Sequence, residues 1–233
     1  LPIYQAMYYS MTKWDGIVSK WLGPNTFIRE FKNPIFWRVI ENNGLLLLAV
    51  PVAIVIPMGV AYMLNEKVVG WKFFRTVYFL PTAISWVVIG MVSLRFFAQQ
   101  GLLNGLLKAF GLGFINTDML SSEKGALAAV GITFIWSMVG TNTIIFLTGM
   151  ATLDVSLYEA ARMYGASSFR IFRSITLPQL KRFIQFSFII TVISAFPALF
   201  SLIFVMTGGG PGFGSTTLEF FVYHFAFACG NFG

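Results

Sequence analysis

Polar and apolar positions separate into long blocks rather than alternating along this chain. Uninterrupted apolar runs occupy about residues 44–64 ("GLLLLAVPVAIVIPMGVAYML"), 76–94, 126–150 and 183–206. Each is close to the ~20 residues that a helix needs to cross the hydrocarbon core of a bilayer, so the pattern predicts four spanning helices. Pro51 and Pro57 are expected to bend the first, and Pro81 falls in the first turns of the second. Residues 1–11 ("LPIYQAMYYSM") read as part of a further apolar segment whose beginning is missing. The polar stretch from Thr12 to Arg38 reads as an interfacial loop, with Trp14, Trp21 and Trp37 suited to the headgroup level. "GLLNGLLKAFGLG" (101–113) predicts a short surface helix.

One polar interval has a pattern of its own. Residues 154–177 predict helix, tight turn, helix outside the bilayer. Ser156-Leu157-Tyr158-Glu159 fits the S-x-x-E capping box, and Gly165 suits the left-handed residue that ends a helix. Ser167 or Ser168 can cap the second helix, and Pro178 disfavours helical geometry at Leu177. Periodicity leaves two readings: an amphipathic hairpin lying on headgroups, or an element that inserts into a groove on a soluble partner.

Composition agrees with the block pattern. Of 233 residues 57% are hydrophobic and 11% charged, against roughly a quarter charged in soluble domains, and the mean hydropathy is +0.75. Continuous runs exclude a membrane β-barrel, whose strands alternate with period two. The fold class is therefore an all-α polytopic membrane protein. The net charge of +7 resides mainly between spans and reads as topology rather than nucleic-acid binding. Arg162, Arg170, Arg173, Lys181 and Arg182 crowd the hairpin, and Lys67, Lys72 and Arg75 the 65–75 connector, which puts both on the cytoplasmic side. The lone Cys229 forms no internal disulfide, and the lone His224 reads as an interfacial aromatic. No G-x-x-x-x-G-K-[ST] phosphate loop occurs, and no His/Asp/Glu cluster is suited to metal or acid–base chemistry. These features exclude an ATPase of its own and give no sign of an embedded enzyme. An ion-coupled secondary transporter remains an alternative, although such proteins place ionisable residues mid-membrane and these spans hold none.

Matched spacing selects between the two hairpin readings. Glu159-Ala160-Ala161, Gly165, Ile175 and Leu177-Pro178 resemble the EAA–G–I–LP signature of ABC-importer membrane subunits, with Tyr164 where the carbohydrate branch usually has Asp. "FFRTVYFLP" (73–81), "GLLNGLLKAFG" (101–111), "LYEAA" (157–161), "TGGGP" (207–211) and "TTLEFFVYHFAF" (216–227) resemble maltose- and glycerol-phosphate-type sugar permeases. This resemblance implies a type I importer (MetI-like) permease fold, incomplete at both ends, in a bacterial or archaeal inner membrane. It implies a heterodimer with a second permease, two cytoplasmic ATP-binding subunits that hold the ATP and magnesium, and an extracytoplasmic solute-binding protein. No cofactor is expected in this chain.

The same resemblance implies that Glu159 to Pro178 couple to the ATPase and that this chain forms half of a sugar or oligosaccharide pathway. The candidates for the pathway are Trp136, Ser137, Thr141 and Asn142 in the third span and Ser187, Thr191, Ser194 and Phe196 in the fourth. Helix–helix packing is the competing role for such hydroxyls. Gly208, Gly209, Gly210 and Pro211 are expected to form an outer loop meeting the binding protein, or else a re-entrant connector.

Overall fold

The computed structural model describes residues 2–14, 19–65, 76–112 and 118–228. Cys229 and the basic residues of the 65–75 connector lie outside them. In chain order the elements are α1 (Pro2–Tyr9), β1 (Thr12–Trp14), β2 (Ser19–Trp21), α2 (Asn25–Phe31), α3 (Pro34–Leu47) and α4 (Ala49–Asn65). Next come α5 (Thr76–Ala83), α6 (Trp86–Phe97), α7 (Leu102–Ala109), α8 (Glu123–Ala151) and α9 (Val155–Met163). Then follow α10 (Ser168–Ile171), a π-helical turn (Phe172–Thr176), α11 (Leu177–Gln179), α12 (Lys181–Met206), α13 (Leu218–Tyr223) and a second π-helical turn (His224–Ala228); a 3-10 turn (Met119–Ser121) precedes α8.

Among the described residues three segments are long and apolar enough to cross a membrane: Pro34–Asn65, Glu123–Ala151 and Lys181–Met206. The first starts ten residues before the apolar run expected over 44–64 and is interrupted at Leu48. Pro51 explains the interruption, because it has no N–H for the carbonyl of Leu47. The single span expected over 76–94 is instead a broken pair, α5 and α6, with a bend of 116° between them. Pro81 sits in the last turn of α5 and Ile84 takes an extended backbone (φ −111°, ψ 141°), so the ladder cannot continue. The apolar 1–11 segment contains an eight-residue helix, and the polar loop after it holds a two-stranded antiparallel ribbon that pairs Lys13 with Lys20.

The chain divides into two compact units. One comprises residues 1–46, 90–130 and 199–233. Its core includes Val39, Ala126, Val130, Leu202, Ile203, Phe220 and Phe221. Within it Asn42 donates to the carbonyls of Phe213 (2.9 Å) and Thr216 (3.0 Å), and Arg38 pairs with Glu123. The other comprises residues 47–89 and 131–198, with Val50, Ala53, Ile89, Phe134, Phe146, Ile171, Leu180 and Ala198 buried. Gly149 permits close internal packing: a Cβ there would stand 2.8 Å from the side chains of Leu180 and Phe183.

Candidate functional site

The first helix of the hairpin is capped two residues earlier than the S-x-x-E box predicts. α8 ends at Ala151, Thr152 and Leu153 turn the chain, and Asp154 becomes the N-cap, accepting from the backbone N–H of Ser156 at 2.9 Å. The Ser156–Glu159 box is thus superseded, and exposed Glu159 is not engaged in capping. That N–H and then the Ser156 hydroxyl hold the Asp154 carboxyl below its ordinary pKa.

α9 closes in a Schellman motif. Ala166 N–H donates to Ala161 O and Gly165 N–H to Arg162 O, at 3.0 and 2.9 Å, with Gly165 left-handed at φ +71°. This conformation carries little penalty in glycine, and no atom lies within 4 Å of where a Cβ would stand. The turn pushes Met163 and Tyr164 outward, 85% and 91% exposed. Tyr164, the departure from the signature, therefore sits at the tip of the hairpin and burdens no internal contact.

Ser167 caps α10, accepting from Arg170 N–H at 3.4 Å. Beyond it, the break expected at Leu177-Pro178 does not occur. Leu177 is helical (φ −60°, ψ −45°) and donates to Phe172 O. That i→i−5 bond widens the turn, and the missing N–H of Pro178 is absorbed in the first turn of α11, where proline is tolerated. Two tyrosines tether the hairpin. Tyr62 of α4 donates to Ser168 O at 3.0 Å, and its ring packs tilted against Phe172 at 4.9 Å between centroids. Tyr158 of α9 meets Thr176 hydroxyl to hydroxyl at 3.0 Å.

The sequence-derived pathway residues fall into three groups. Ser137, Thr141 and Ser194 line one cavity of about 340 Å³ together with Pro81, Thr82, Ser85 and Trp86 of the α5–α6 bend. The bend residues are absent from the sequence-derived set because the apolar run over 76–94 reads as a single span; Pro81 followed by Ser85 is the available signal. Ser137 donates to Phe134 O and Thr82 to Phe79 O, both at 2.7 Å. A hydroxyl so used keeps its acceptor lone pairs, so the cavity wall presents acceptors on an otherwise apolar frame. Asn142, Ser187 and Thr191 form a second group, fully buried and hydrogen-bonded to one another rather than aimed into a cavity. Trp136 and Phe196 form the third, exposed on the outside of their helices.

The glycine-rich stretch is a closed turn built on its own hydroxyls. Thr216 donates to Gly209 O at 2.7 Å, and Ser215 lies within reach of Gly210 O (2.7 Å) and Thr207 Oγ1 (2.8 Å). Gly208 is exposed and left-handed at φ +57°. Gly209 is buried at φ +84°, with Phe220 and Thr216 occupying the space of a Cβ. Gly210 and Pro211 are half-buried. Among the described residues no group of three or more His, Cys, Asp or Glu is arranged to hold a metal ion.

Comparison with known proteins places this architecture. The family described as "Binding-protein-dependent transport system inner membrane component" matches residues 31–223. A probable ABC transporter permease protein of Pyrococcus horikoshii is 33% identical over 97% of this chain and 78% of its own length. The multiple sugar-binding transport system permease protein MsmF of Streptococcus mutans is 32% identical over 100% of this chain and 80% of its own. Among solved structures, a bacterial ABC transporter that imports the acidic polysaccharide alginate superposes with a TM-score of 0.81 at 21% identity. That match covers 99% of this chain and 79% of the other. The chain thus belongs to the binding-protein-dependent transport system inner membrane component family and is a membrane-embedded permease subunit of an ABC importer.

Proposed function

We propose that this permease forms half of the pathway for a sugar or oligosaccharide and is driven through its 154–179 hairpin by separate ATP-binding subunits. The observation that carries the coupling role is the Schellman turn at Gly165. It presents Glu159, Tyr164 and Met163 to solvent while Tyr62 and Tyr158 hold the hairpin's base. Glu159 then pairs with a basic residue of the ATPase, Ala160 and Ala161 allow close approach, and Ile175, Leu177 and Pro178 carry the hairpin back into α12. Nucleotide and magnesium belong to two such cytoplasmic subunits, and this chain contributes no cofactor. A second permease completes a heterodimer in the bacterial or archaeal inner membrane, and a solute-binding protein delivers substrate outside, meeting the exposed Gly208 end of the 208–211 turn.

Substrate hydroxyls donate to the acceptors around the α5–α6 bend, namely Ser137, Thr141 and Ser194 with Thr82 and Ser85. Trp136 and Phe196 supply aromatic faces toward the second permease. Asn142 and Thr191 shape the wall from behind. The sugar assignment draws on the multiple-sugar relative and on the motifs shared with carbohydrate permeases.

The test is uptake of a panel of labelled mono- and oligosaccharides into proteoliposomes holding the whole complex and its binding protein. Accumulation must require internal ATP and survive collapse of proton and sodium gradients. Uptake that persists without ATP and stops with an ionophore would instead establish an ion-coupled secondary transporter.

A further inference from the structure

A buried cluster of Asn142, Ser187 and Thr191 surrounds a defect in a helix. Pro57 lies inside α4 and has no N–H, so the carbonyl of Ala53, four residues earlier, loses its helical partner. Ala53 is fully buried, and a carbonyl freed inside a membrane helix must find a new donor nearby. Asn142 of α8 supplies the missing donor: its Nδ2 lies 2.7 Å from Ala53 O. A carbonyl only accepts, so this contact fixes the amide orientation. The same Nδ2 donates to Thr191 Oγ1 at 3.0 Å, and Oδ1 accepts from Ser187 at 2.9 Å. One side chain thus joins α4, α8 and α12 at a fully buried point.

The position of this joint gives it a mechanical consequence. α4 is gripped twice, at Ala53 by Asn142 and at Tyr62 by the hairpin residues Ser168 and Phe172. Pro57 lies between the two grips. An unsupported proline bend would absorb displacement applied at Tyr62. With the carbonyl clamped, displacement passes to α8 and α12.

We propose that Asn142 is a positioning residue: it satisfies the carbonyl released by Pro57 and so makes the hairpin, α4, α8 and α12 move as one body. The transmission of nucleotide-driven motion rests on the coupling role proposed for the hairpin; the chemical pairing of Asn142 with the Pro57 defect does not.

The test is a double-mutant cycle in the whole purified complex. Asn142→Leu keeps the volume and removes every bond. Pro57→Ala returns an N–H to Ala53 O, and Pro57→Gly does so while leaving the bend accessible. Cys229, the sole cysteine, is replaced, and nitroxides are attached at the exposed positions Met163 and Ile193. The distance between them is read by double electron–electron resonance, with and without magnesium-ATP and vanadate.

The parent is expected to show one narrow distance, unchanged by nucleotide. Asn142→Leu should at least double its width and lower the complex's melting midpoint by about 3–6 °C. Either Pro57 substitution should recover at least half of both effects, and should restore assembly if Asn142→Leu alone abolishes it. The proposal falls if Asn142→Leu changes neither readout, if neither Pro57 variant rescues it, or if the parent distance itself shifts with nucleotide. Should the cycle close while Gly165→Asp leaves ATP-driven uptake intact, the coupling role fails and the Asn142–Pro57 pairing stands.

Discussion

Replacing Gly165 separates two reasons for a glycine at the hairpin turn. Its φ of +71° is a conformation that costs an ordinary L residue about 1–2 kcal/mol. Because no atom lies within 4 Å of a Cβ built there, steric clash inside the chain adds nothing, and the whole penalty is backbone strain. Moving out of the left-handed region would forfeit the Gly165–Arg162 and Ala166–Ala161 bonds, each contributing about 0.5–1.5 kcal/mol. The strain is of the same size as the bonding that holds the turn, so it shifts the equilibrium between the native turn and its alternatives. One to two kcal/mol lowers the ratio of native to alternative turn roughly 5–30-fold. Gly165→Ala should weaken ATPase-subunit affinity for the detergent-purified permease by up to about that factor, with little change in the melting midpoint of the spans. Asn tolerates the left-handed region far better, so Gly165→Asn should stay within about threefold of the parent. The assay is a binding titration of the ATPase subunit against the three permeases. If Asn proves as damaging as Ala, the strain argument is refuted, and the glycine serves to admit the partner's surface instead.

Three further outcomes follow from the geometry. Asp154 has a lowered folded pKa, so its contribution is complete above its unfolded value and disappears as pH falls through the folded one. Tryptic cleavage at Arg162 after brief acid exposure should rise in the parent only below the ordinary carboxylate range, whereas Asp154→Ala should be equally cleavable at every pH. Asn42→Leu strips the donor from Phe213 O and Thr216 O and should destabilise by about 1–3 kcal/mol. In a thermal melt of the complex this is a drop of roughly 2–4 °C per kcal/mol. Gly140→Ala would place a Cβ against the Thr82 methyl and 2.6 Å from Tyr78 O. Backbone cannot yield as a flexible side chain does, so α5 must shift, at about 1–3 kcal/mol. ATP-driven uptake should fall severalfold while hairpin binding to the ATPase subunit is unchanged.

The fold class and the hairpin were legible in the sequence because both rest on one-dimensional quantities. The length of an apolar run is compared with a fixed bilayer thickness. The spacing from Glu159 to Pro178 runs along a single short segment, and the left-handed turn at Gly165 is a property of one residue. Local rules misled where two neighbours competed. Ser156 and Asp154 are both competent caps, and the exit of the chain from α8 at Ala151 gave the position to Asp154. Pro178 is a breaker in isolation, yet the wider turn at 172–176 kept Leu177 helical.

Tertiary structure alone decided the roles of the polar residues within the spans. Asn142 meets partners 89, 49 and 45 residues away, and no periodicity along α8 encodes that its amide answers a defect in α4. Thr82 and Ser85 joined Ser137, Thr141 and Ser194 around one cavity only because the chain folds back at Pro81. The identity of a buried polar side chain states that it must have a partner; only the packing of distant segments states which one.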